Sequence, residues 1–315
     1  MIVCLGTSPT LQRTMVFGTI TAGDVNRSDR VHDFASGKAT NAARVLHTLG
    51  RPVKLLTVVG GDQGRLFLAD LERLGLPCEA VEVDVPTRQC VTVVDEGRRQ
   101  ATELVQEPGE LTPAHGEALL ERLANLLDQA TVLVMSGKLP RGLPPDLLGR
   151  ATAMATERGI KTVLDARREP LREALAAHPT FIKPNRGELA NTVGRPIDSR
   201  SAMHDAMAML VERGAGQVVC TRGRDGSSLC ARDGDGRVRY WEISTPVVEA
   251  VSPVGSGDAY AARLAAGLDD GAGPTDACRF ASACGAANAV NEHAGHLDPA
   301  EAERLLSKVG VREVT

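Results

Sequence analysis

The feature that most constrains the fold is a regular alternation of short apolar stretches with longer amphipathic ones. Most of the apolar stretches are rich in β-branched residues and lack a polar face, which is typical of parallel strands covered on both sides. We predict strands at 1–5, 53–60, 131–137, 161–166, 180–185 and 217–223, and helices at 40–50, 63–75, 113–130, 145–159 and 201–214. This order predicts a doubly wound α/β fold, a mostly parallel sheet flanked by helices, with its ligand beyond the carboxyl ends of the strands.

Two segments interrupt this alternation. Residues 14–35 and 86–107 alternate polar with apolar positions and carry turn signals at "AGD" and "DEG", so each is predicted to form a pair of strands. We expect the two pairs to lie together outside the main sheet as a small β-sheet lid, formed by about 12–35 and 86–107 of a single domain spanning 1–315. Because the edges of lid strands can pair with another chain, a homodimer through the lid is also expected.

The stretch "SPVGSGDAYAARLAAGL" at 252–268 places two glycines and an acid where a helix begins. A helix N-terminus offers unpaired N–H groups, and glycine lets a phosphate approach the backbone closely. Asp258 could there accept the proton of an attacking hydroxyl group. The alternative is an ordinary loop leading into a helix, with an acid in the first turn.

The same stretch resembles the C-terminal signature of the ribokinase-like, or PfkB-type, sugar kinases. Gly255, Gly257 and Asp258 match that signature, and Ser256 replaces its usual alanine. The resemblance implies that Asp258 is the catalytic base and that Gly255, Ser256 and Gly257 form an anion hole for the transferred phosphoryl group. It also implies a ribokinase-like fold, with ATP and Mg²⁺ as cofactors.

A second group of motifs concerns the nucleotide. In "KPNRGEL" at 183–189, Asn185 and Glu188 have the spacing of a helix capping box, and they also resemble the family's N-x-x-E motif, which orders waters around Mg²⁺ and the phosphates. Both interpretations can hold together. "CTRGRDG" at 220–226 resembles the strand and turn beside ATP, although a tight hairpin would give the same glycines. The resemblance assigns these residues to the nucleotide: Lys183, Asn185, Glu188, Thr221, Gly223, Gly226 and Asn288.

A third group of motifs concerns the phosphate acceptor. "ASGKATNAARVLHTLG" at 35–50 is not a P-loop, but it resembles the family's sugar-binding motif through Gly37, Lys38 and Asn41. "TRQCVTVVD" at 87–95 resembles a strand of the 1-phosphofructokinase and tagatose-6-phosphate kinase group, in which the arginine binds the substrate phosphate. Arg88 suits that role because guanidinium binds phosphate in a bidentate manner, although it could instead be an exposed arginine on a lid strand.

Two departures from the family pattern bear on the acceptor. In "MSGKLPRGLPPDLL" at 135–148, Lys138 replaces a serine and could add to phosphate binding or be a surface lysine. In "SPTLQ", Gln12 stands where the family has an aspartate that binds sugar hydroxyl groups. Glutamine can donate and accept hydrogen bonds but carries no charge, so the preferred sugar could differ from fructose 1-phosphate.

Composition excludes several other classes. The net charge of −4 argues against a nucleic-acid surface, and no window reaches the ~18 apolar residues of a membrane span. The seven cysteines include no C-x-x-C pair, and the N-terminal residues do not resemble a signal peptide. Both observations predict a cytoplasmic protein with reduced thiols. His293 and His296 in "NEHAGH" lack the spacing of a zinc-protease helix, so we expect them to be loop residues and not metal ligands.

The predicted function is therefore ATP-dependent transfer of a phosphoryl group to a hydroxyl of a sugar phosphate, of the 1-phosphofructokinase-like kind. Gln12, Ser36 and Ala39 depart from the family pattern, which leaves open a non-catalytic sensor of sugar phosphates or nucleotides on the same fold. A kinase for unphosphorylated sugars or nucleosides is the other alternative, and Lys38 and Arg88 argue against it because they imply an anionic acceptor.

Overall fold

A computed structural model describes residues 1–314 and shows two sheets with helices packed against the larger one. The strands are β1 (Ile2–Gly6), β2 (Thr10–Phe17), β3 (Arg30–Ser36), β4 (Val53–Val59), β5 (Cys78–Glu82), β6 (Arg88–Asp95), β7 (Gln100–Leu104), β8 (Val132–Ser136), β9 (Lys161–Asp165), β10 (Phe181–Ile182), β11 (Gln217–Thr221), β12 (Ser227–Arg232), β13 (Val238–Ile243) and β14 (Val311–Val314). The helices are α1 (Lys38–Thr48), α2 (Gly61–Leu74), α3 (Pro113–Leu127), α4 (Leu147–Thr156), α5 (Arg168–Ala174), α6 (Arg186–Val193), α7 (Arg200–Glu212), α8 (Ser256–Asp269), α9 (Pro274–Ala289) and α10 (Pro299–Leu306).

The large sheet confirms the predicted doubly wound architecture. Its ten strands lie in the order β14-β13-β12-β11-β10-β9-β8-β1-β4-β5. The strands from β11 to β5 are parallel, and β12, β13 and β14 add an antiparallel edge. The chain leaves β1 toward β4 on one side and later returns to place β8 on the other. The sheet therefore has its switch point beside β1, where a crevice opens at the carboxyl ends of the strands.

Alternate side chains of the central strands enter two separate cores, as the period of two along a strand requires. Ile2 and Cys4 point into the core formed largely with α1, α8 and α9, whereas Val3 and Leu5 point into the core formed with α3 to α7. The first core is rich in alanine. The seven cysteines are all free thiols.

The small sheet confirms that the two interrupting segments pair outside the main sheet. Its order is β3-β2-β6-β7, with antiparallel pairs β2–β3 and β6–β7 joined by a parallel pairing of β2 with β6. The strand β2 begins at Thr10, slightly before the predicted boundary, because its register runs from Thr10 opposite Arg88 onward. Its role as a lid stays a prediction.

Within the part of the chain that the structure describes, no helix has the length and apolar character that crossing a membrane requires.

Candidate active site

A cavity of about 1040 Å³ lies between the small sheet and the carboxyl ends of the parallel strands. Ligand pockets commonly measure roughly 300–1,000 Å³, so this one has room for two small molecules side by side. Its walls hold most of the residues that the sequence singled out, including all four of the turn at 255–258. The predicted site residues that line it are Gln12, Gly37, Lys38, Asn41, Arg88, Lys183, Asn185, Glu188, Thr221, Gly223, Gly226, Gly255, Ser256, Gly257 and Asp258.

The turn that starts α8 has a shape that only glycine fits at its first position. Gly255 has φ 85°, and a Cβ atom there would lie 2.6 Å from the backbone nitrogen of Gly295. The N–H groups of Ser256 and Asp258 bond within the turn, to the carbonyls of Pro253 and Gly255. Among residues 1–314, the N–H of Gly257 forms no such turn bond, and it stands on the cavity wall. The turn thus presents the Gly257 N–H as a free donor at the positive end of a helix.

Asp258 is buried, with 6% of its surface exposed, and its carboxylate is held by a side chain of α1. Asn41 Nδ2 on α1 donates to Asp258 Oδ2 at 2.8 Å, and Ser36 Oγ donates to Asn41 Oδ1 at 2.9 Å. The serine hydroxyl fixes which way the asparagine amide faces, so the amide must donate to the carboxylate. Ser36, one of the positions that depart from the family pattern, therefore orients the group that holds Asp258.

Burial raises the pKa of Asp258 to about 6, although Lys38 and the Asn41 hydrogen bond act in the opposite direction. A carboxyl group with this pKa is ionised at neutral pH yet holds a proton far better than an ordinary aspartate. That is the acid–base property that a general base requires.

Asp165 is the main site residue that the sequence interpretation missed. It ends β9, is 1% exposed, and its Oδ2 lies 3.4 Å from Lys183 Nζ and 3.5 Å from Lys38 Nζ. Burial alone would raise the pKa of Asp165, but the two ammonium groups outweigh burial and lower it. A charged residue at the carboxyl end of a buried parallel strand was the available signal, because it stands where such folds bind ligands.

One buried carboxylate thus lies between the two lysines and fixes their positions. The pKa of Lys38 is raised, and the nearby Asp165 carboxylate is the largest cause. Lys38 Nζ also lies 3.4 Å from Glu188 Oε1. Lys183 is 3% exposed, and its Nζ lies 3.5 Å from the point where a Cβ of Gly257 would be. The ammonium groups of Lys38 and Lys183 thus line the same cavity as the free N–H of the α8 turn.

Asn185 and Glu188 do form the capping box of α6. Asn185 Oδ1 accepts from the backbone nitrogen of Glu188 at 2.9 Å, and Glu188 Oε2 accepts from that of Asn185 at 3.0 Å. The second carboxylate oxygen, Oε1, faces Lys38 in the cavity. The cap therefore orients a side chain that still has one oxygen directed at the site.

The far wall combines the turn after β11 with the segment 245–250. Thr221 ends β11, Gly223 has φ 60°, and Gly226 has φ 84° with Ile243 O only 2.2 Å from where its Cβ would be. Side-chain bulk is thus excluded at Gly226. Arg224 on this turn also lines the cavity, a second residue that the sequence interpretation missed.

The small sheet provides the opposite wall. Gln12 on β2 is buried and donates from Nε2 to Thr92 Oγ1 at 3.0 Å. Arg88 at the start of β6 donates from Nη1 to the carbonyl oxygen of Gln106 at 3.0 Å. Its two longer contacts, at 3.4 Å, go to the carbonyls of Ser8 and Pro9, and two of its five N–H groups remain for a ligand.

Two predicted residues do not line the cavity. Lys138 instead forms an ion pair with Glu107. Asn288 is fully buried and braces the α8 turn: its Nδ2 donates to Val254 O at 2.8 Å, and its Oδ1 accepts from Gly295 N at 2.8 Å. Both hydrogen bonds serve the protein itself, so Asn288 positions the turn and does not face the cavity.

Comparison with known proteins gives consistent matches over the full length. The sequence pattern described as "pfkB family carbohydrate kinase" matches residues 1–301. The tagatose-6-phosphate kinase of Staphylococcus epidermidis is 26% identical over 317 residues, which is 100% of each chain.

Two solved structures share the architecture. Phosphofructokinase-2 from Escherichia coli in complex with substrates and products superposes with a TM-score of 0.87, at 24% identity over 98% of each chain. A possible 1-phosphofructokinase from Thermotoga maritima superposes with a TM-score of 0.90, at 20% identity over 100% of this chain and 99% of that one. These likenesses establish the fold.

Proposed function

The chain belongs to the pfkB family of carbohydrate kinases, and from this premise we propose that it transfers the γ-phosphoryl group of ATP to a hydroxyl group of a sugar phosphate. The observation that carries the proposal is one cavity in which Asp258 and the free N–H of Gly257 face Lys38 and Lys183, with Arg88 on the small-sheet wall. The relative from S. epidermidis, a kinase named for a sugar phosphate, supports an anionic acceptor.

In this proposal Asp258 takes the proton of the acceptor hydroxyl as its oxygen attacks the γ-phosphorus. The hydrogen bond from Asn41 to Oδ2 leaves Oδ1 to receive that proton. Such a positioned base accelerates transfer by typically ~10²–10⁴-fold. Although the pKa of Asp258 is raised, its value of about 6 is still below neutral pH, so the carboxylate is ionised there.

The negative charge on the moving phosphoryl group would be met by the N–H of Gly257 and the ammonium of Lys183. Both are held in place before the substrate arrives, Gly257 by the α8 turn and Lys183 by Asp165. Fixed donors of this kind cost no reorganisation during the reaction, and each is worth roughly 10²–10³ in rate.

Mg²⁺ suits the carboxylates of the same pocket. Asp165 Oδ1 is buried with no hydrogen-bond partner among the described residues, and Glu188 Oε1 faces the cavity close to Asn185. Mg²⁺ prefers oxygen ligands and retains several waters, so we propose that Asn185 and Glu188 hold waters of the ion. When bound, it would neutralise charge on the nucleotide phosphates.

We assign ATP to the wall formed by Thr221, Gly223 and Gly226 with the segment 245–250, and the sugar phosphate to the wall with Gln12, Gly37 and Arg88. The two unused N–H groups of Arg88 suit a phosphate. The small sheet would act as a lid whose closure excludes water and so limits hydrolysis of ATP. Its exposed Val31 and Leu104 favour a homodimer through this sheet.

A screen of ATP consumption tests the proposal. Purified protein with ATP and Mg²⁺ is offered fructose 1-phosphate, fructose 6-phosphate, tagatose 6-phosphate and the free sugars. We expect ADP formation that depends on one or more sugar phosphates. Binding of these ligands without ADP formation would favour a non-catalytic sensor. Activity confined to free sugars or nucleosides would favour a kinase for unphosphorylated acceptors.

A further inference from the structure

Three metal-ligating side chains meet where the small sheet approaches the loop after α9. His32 lies on β3, while Glu292 and His293 lie on the loop that follows α9. One potential ligand atom from each residue lies within 4.8 Å of the others. The rings of His32 and His293 have their centroids 4.9 Å apart, at an interplanar angle of 66°. His293 is thus a loop residue as predicted, but its neighbours come from both ends of the chain.

The proposed phosphoryl transfer uses none of these three residues. His293 Nδ1 is buried and has no hydrogen-bond partner within residues 1–314. Glu292 Oε1 accepts from Arg30 Nη2 at 2.9 Å, and the same nitrogen lies 2.9 Å from Glu96. Arg30 therefore keeps a second carboxylate partner if Glu292 turns to another cation. A buried ring nitrogen without a hydrogen-bond partner calls for a physical explanation, and this one lies beside a carboxylate and a second imidazole.

We propose that His32, Glu292 and His293 bind a divalent late transition-metal ion, with Zn²⁺ the best match. Two imidazoles and one carboxylate are a familiar protein donor set for tetrahedral Zn²⁺, with water at the fourth position. Ligand atoms around such an ion lie about 3.3 Å apart, as bonds of about 2.0–2.1 Å at tetrahedral angles require. Rotation of the exposed His32 and half-buried Glu292 side chains would close the remaining gap.

A bound ion would tie the small sheet to the turn that carries Asp258. The loop 291–296 packs directly on that turn: Gly295 donates to Asn288 Oδ1 at 2.8 Å, and its nitrogen lies against Gly255. On the other side, Phe34 follows His32 along β3 and lines the cavity, as does Glu292. The ion therefore restrains the small sheet at the cavity mouth.

Titration with Co²⁺, a spectroscopic substitute for Zn²⁺, tests the site on the full-length, untagged protein without nucleotide. We expect a visible d–d absorption that saturates at one ion per chain and disappears when Zn²⁺ is added. His32→Ala and His293→Ala should each weaken Co²⁺ affinity at least ~10-fold, since each removes a ligand. Equal concentrations of Mg²⁺ should not compete, because Mg²⁺ prefers oxygen ligands.

His47→Gln is the matched control, since His47 contacts Leu74 O at the end of α1 and is not part of the cluster. It should bind Co²⁺ like the unaltered protein. Absence of the absorption, or unchanged affinity in both His32→Ala and His293→Ala, would overturn the proposal. His32 is exposed on its strand, so its removal leaves the fold intact.

Hydrogen exchange tests, separately from activity, whether a bound ion restrains the small sheet. Zn²⁺ should slow amide exchange in 30–36 and 291–296 of the unaltered protein, and have no such effect on His32→Ala. Histidine-dependent binding without slower exchange in these segments would refute the restraint of the small sheet.

Discussion

The buried carboxylate of Asp258 should make the protein less stable above its pKa, and Asp258→Asn should remove that penalty. Asparagine has nearly the same shape and can still accept from Asn41 Nδ2. The pKa rises from 3.8 to about 6 on folding. A carboxyl pKa that is higher in the folded state does not change stability while the folded and unfolded states are both protonated. The full loss of stability is present once the group is ionised in both states. The pKa difference corresponds to about 3 kcal/mol, most of which develops between pH 4 and pH 6.5.

Urea unfolding of the unliganded protein and of Asp258→Asn, at intervals from pH 4.5 to pH 8, measures this penalty. The variant should gain stability relative to the unaltered protein as the pH rises, by about 2 kcal/mol over the range, with unchanged m-values. Asp276→Asn is the matched control, because Asp276 occupies the first turn of α9 but is exposed. The difference in stability between Asp276→Asn and the unaltered protein should not grow with pH in this way. A constant difference for Asp258→Asn, or one of opposite sign, would refute the assigned burial and pKa.

Three further substitutions probe the same arrangement. Asn41→Ala removes a hydrogen bond that lowers the pKa of Asp258, so the acidic limb of the kcat/KM profile should move above pH 6; an unmoved limb would count against the contact. Arg88→Ala should raise KM for phosphosugars about 10-fold or more and leave any free-sugar activity unchanged; equal KM for phosphosugars would reject the phosphate contact. Gly255→Ala should cost about 1–3 kcal/mol of stability, because φ is 85° and Gly295 leaves no room; equal urea midpoints would contradict this.

Local patterns in the sequence predicted most of the fold. The strands and helices named from periodicity are all present, with ends displaced by a few residues, because apolar periodicity marks an element better than its boundary. The stretch 180–185 is the largest difference: only Phe181–Ile182 pair as a strand, since the chain turns at Pro184 into the capping box of α6.

The site was predictable where a motif is local and not where contacts cross the chain. The turn at 255–258 is such a local motif. The hydrogen bond from Asn41 to Asp258 spans 217 positions, and no spacing rule reveals it. Asp165 was missed because a single acid at a strand end has no motif around it. Asn288 was assigned to the nucleotide, yet its amide bonds to the backbone on both sides, which only the packing of α9 on the turn makes visible.

Rapid-quench measurement of a single turnover by Asp258→Asn, with ATP and whichever sugar phosphate the unaltered enzyme accepts, tests the proposed base catalysis most directly. The account predicts that formation of the new phosphate ester slows by at least ~10² while ATP affinity changes little. Ester formation at a rate within a few fold of the unaltered enzyme would contradict it.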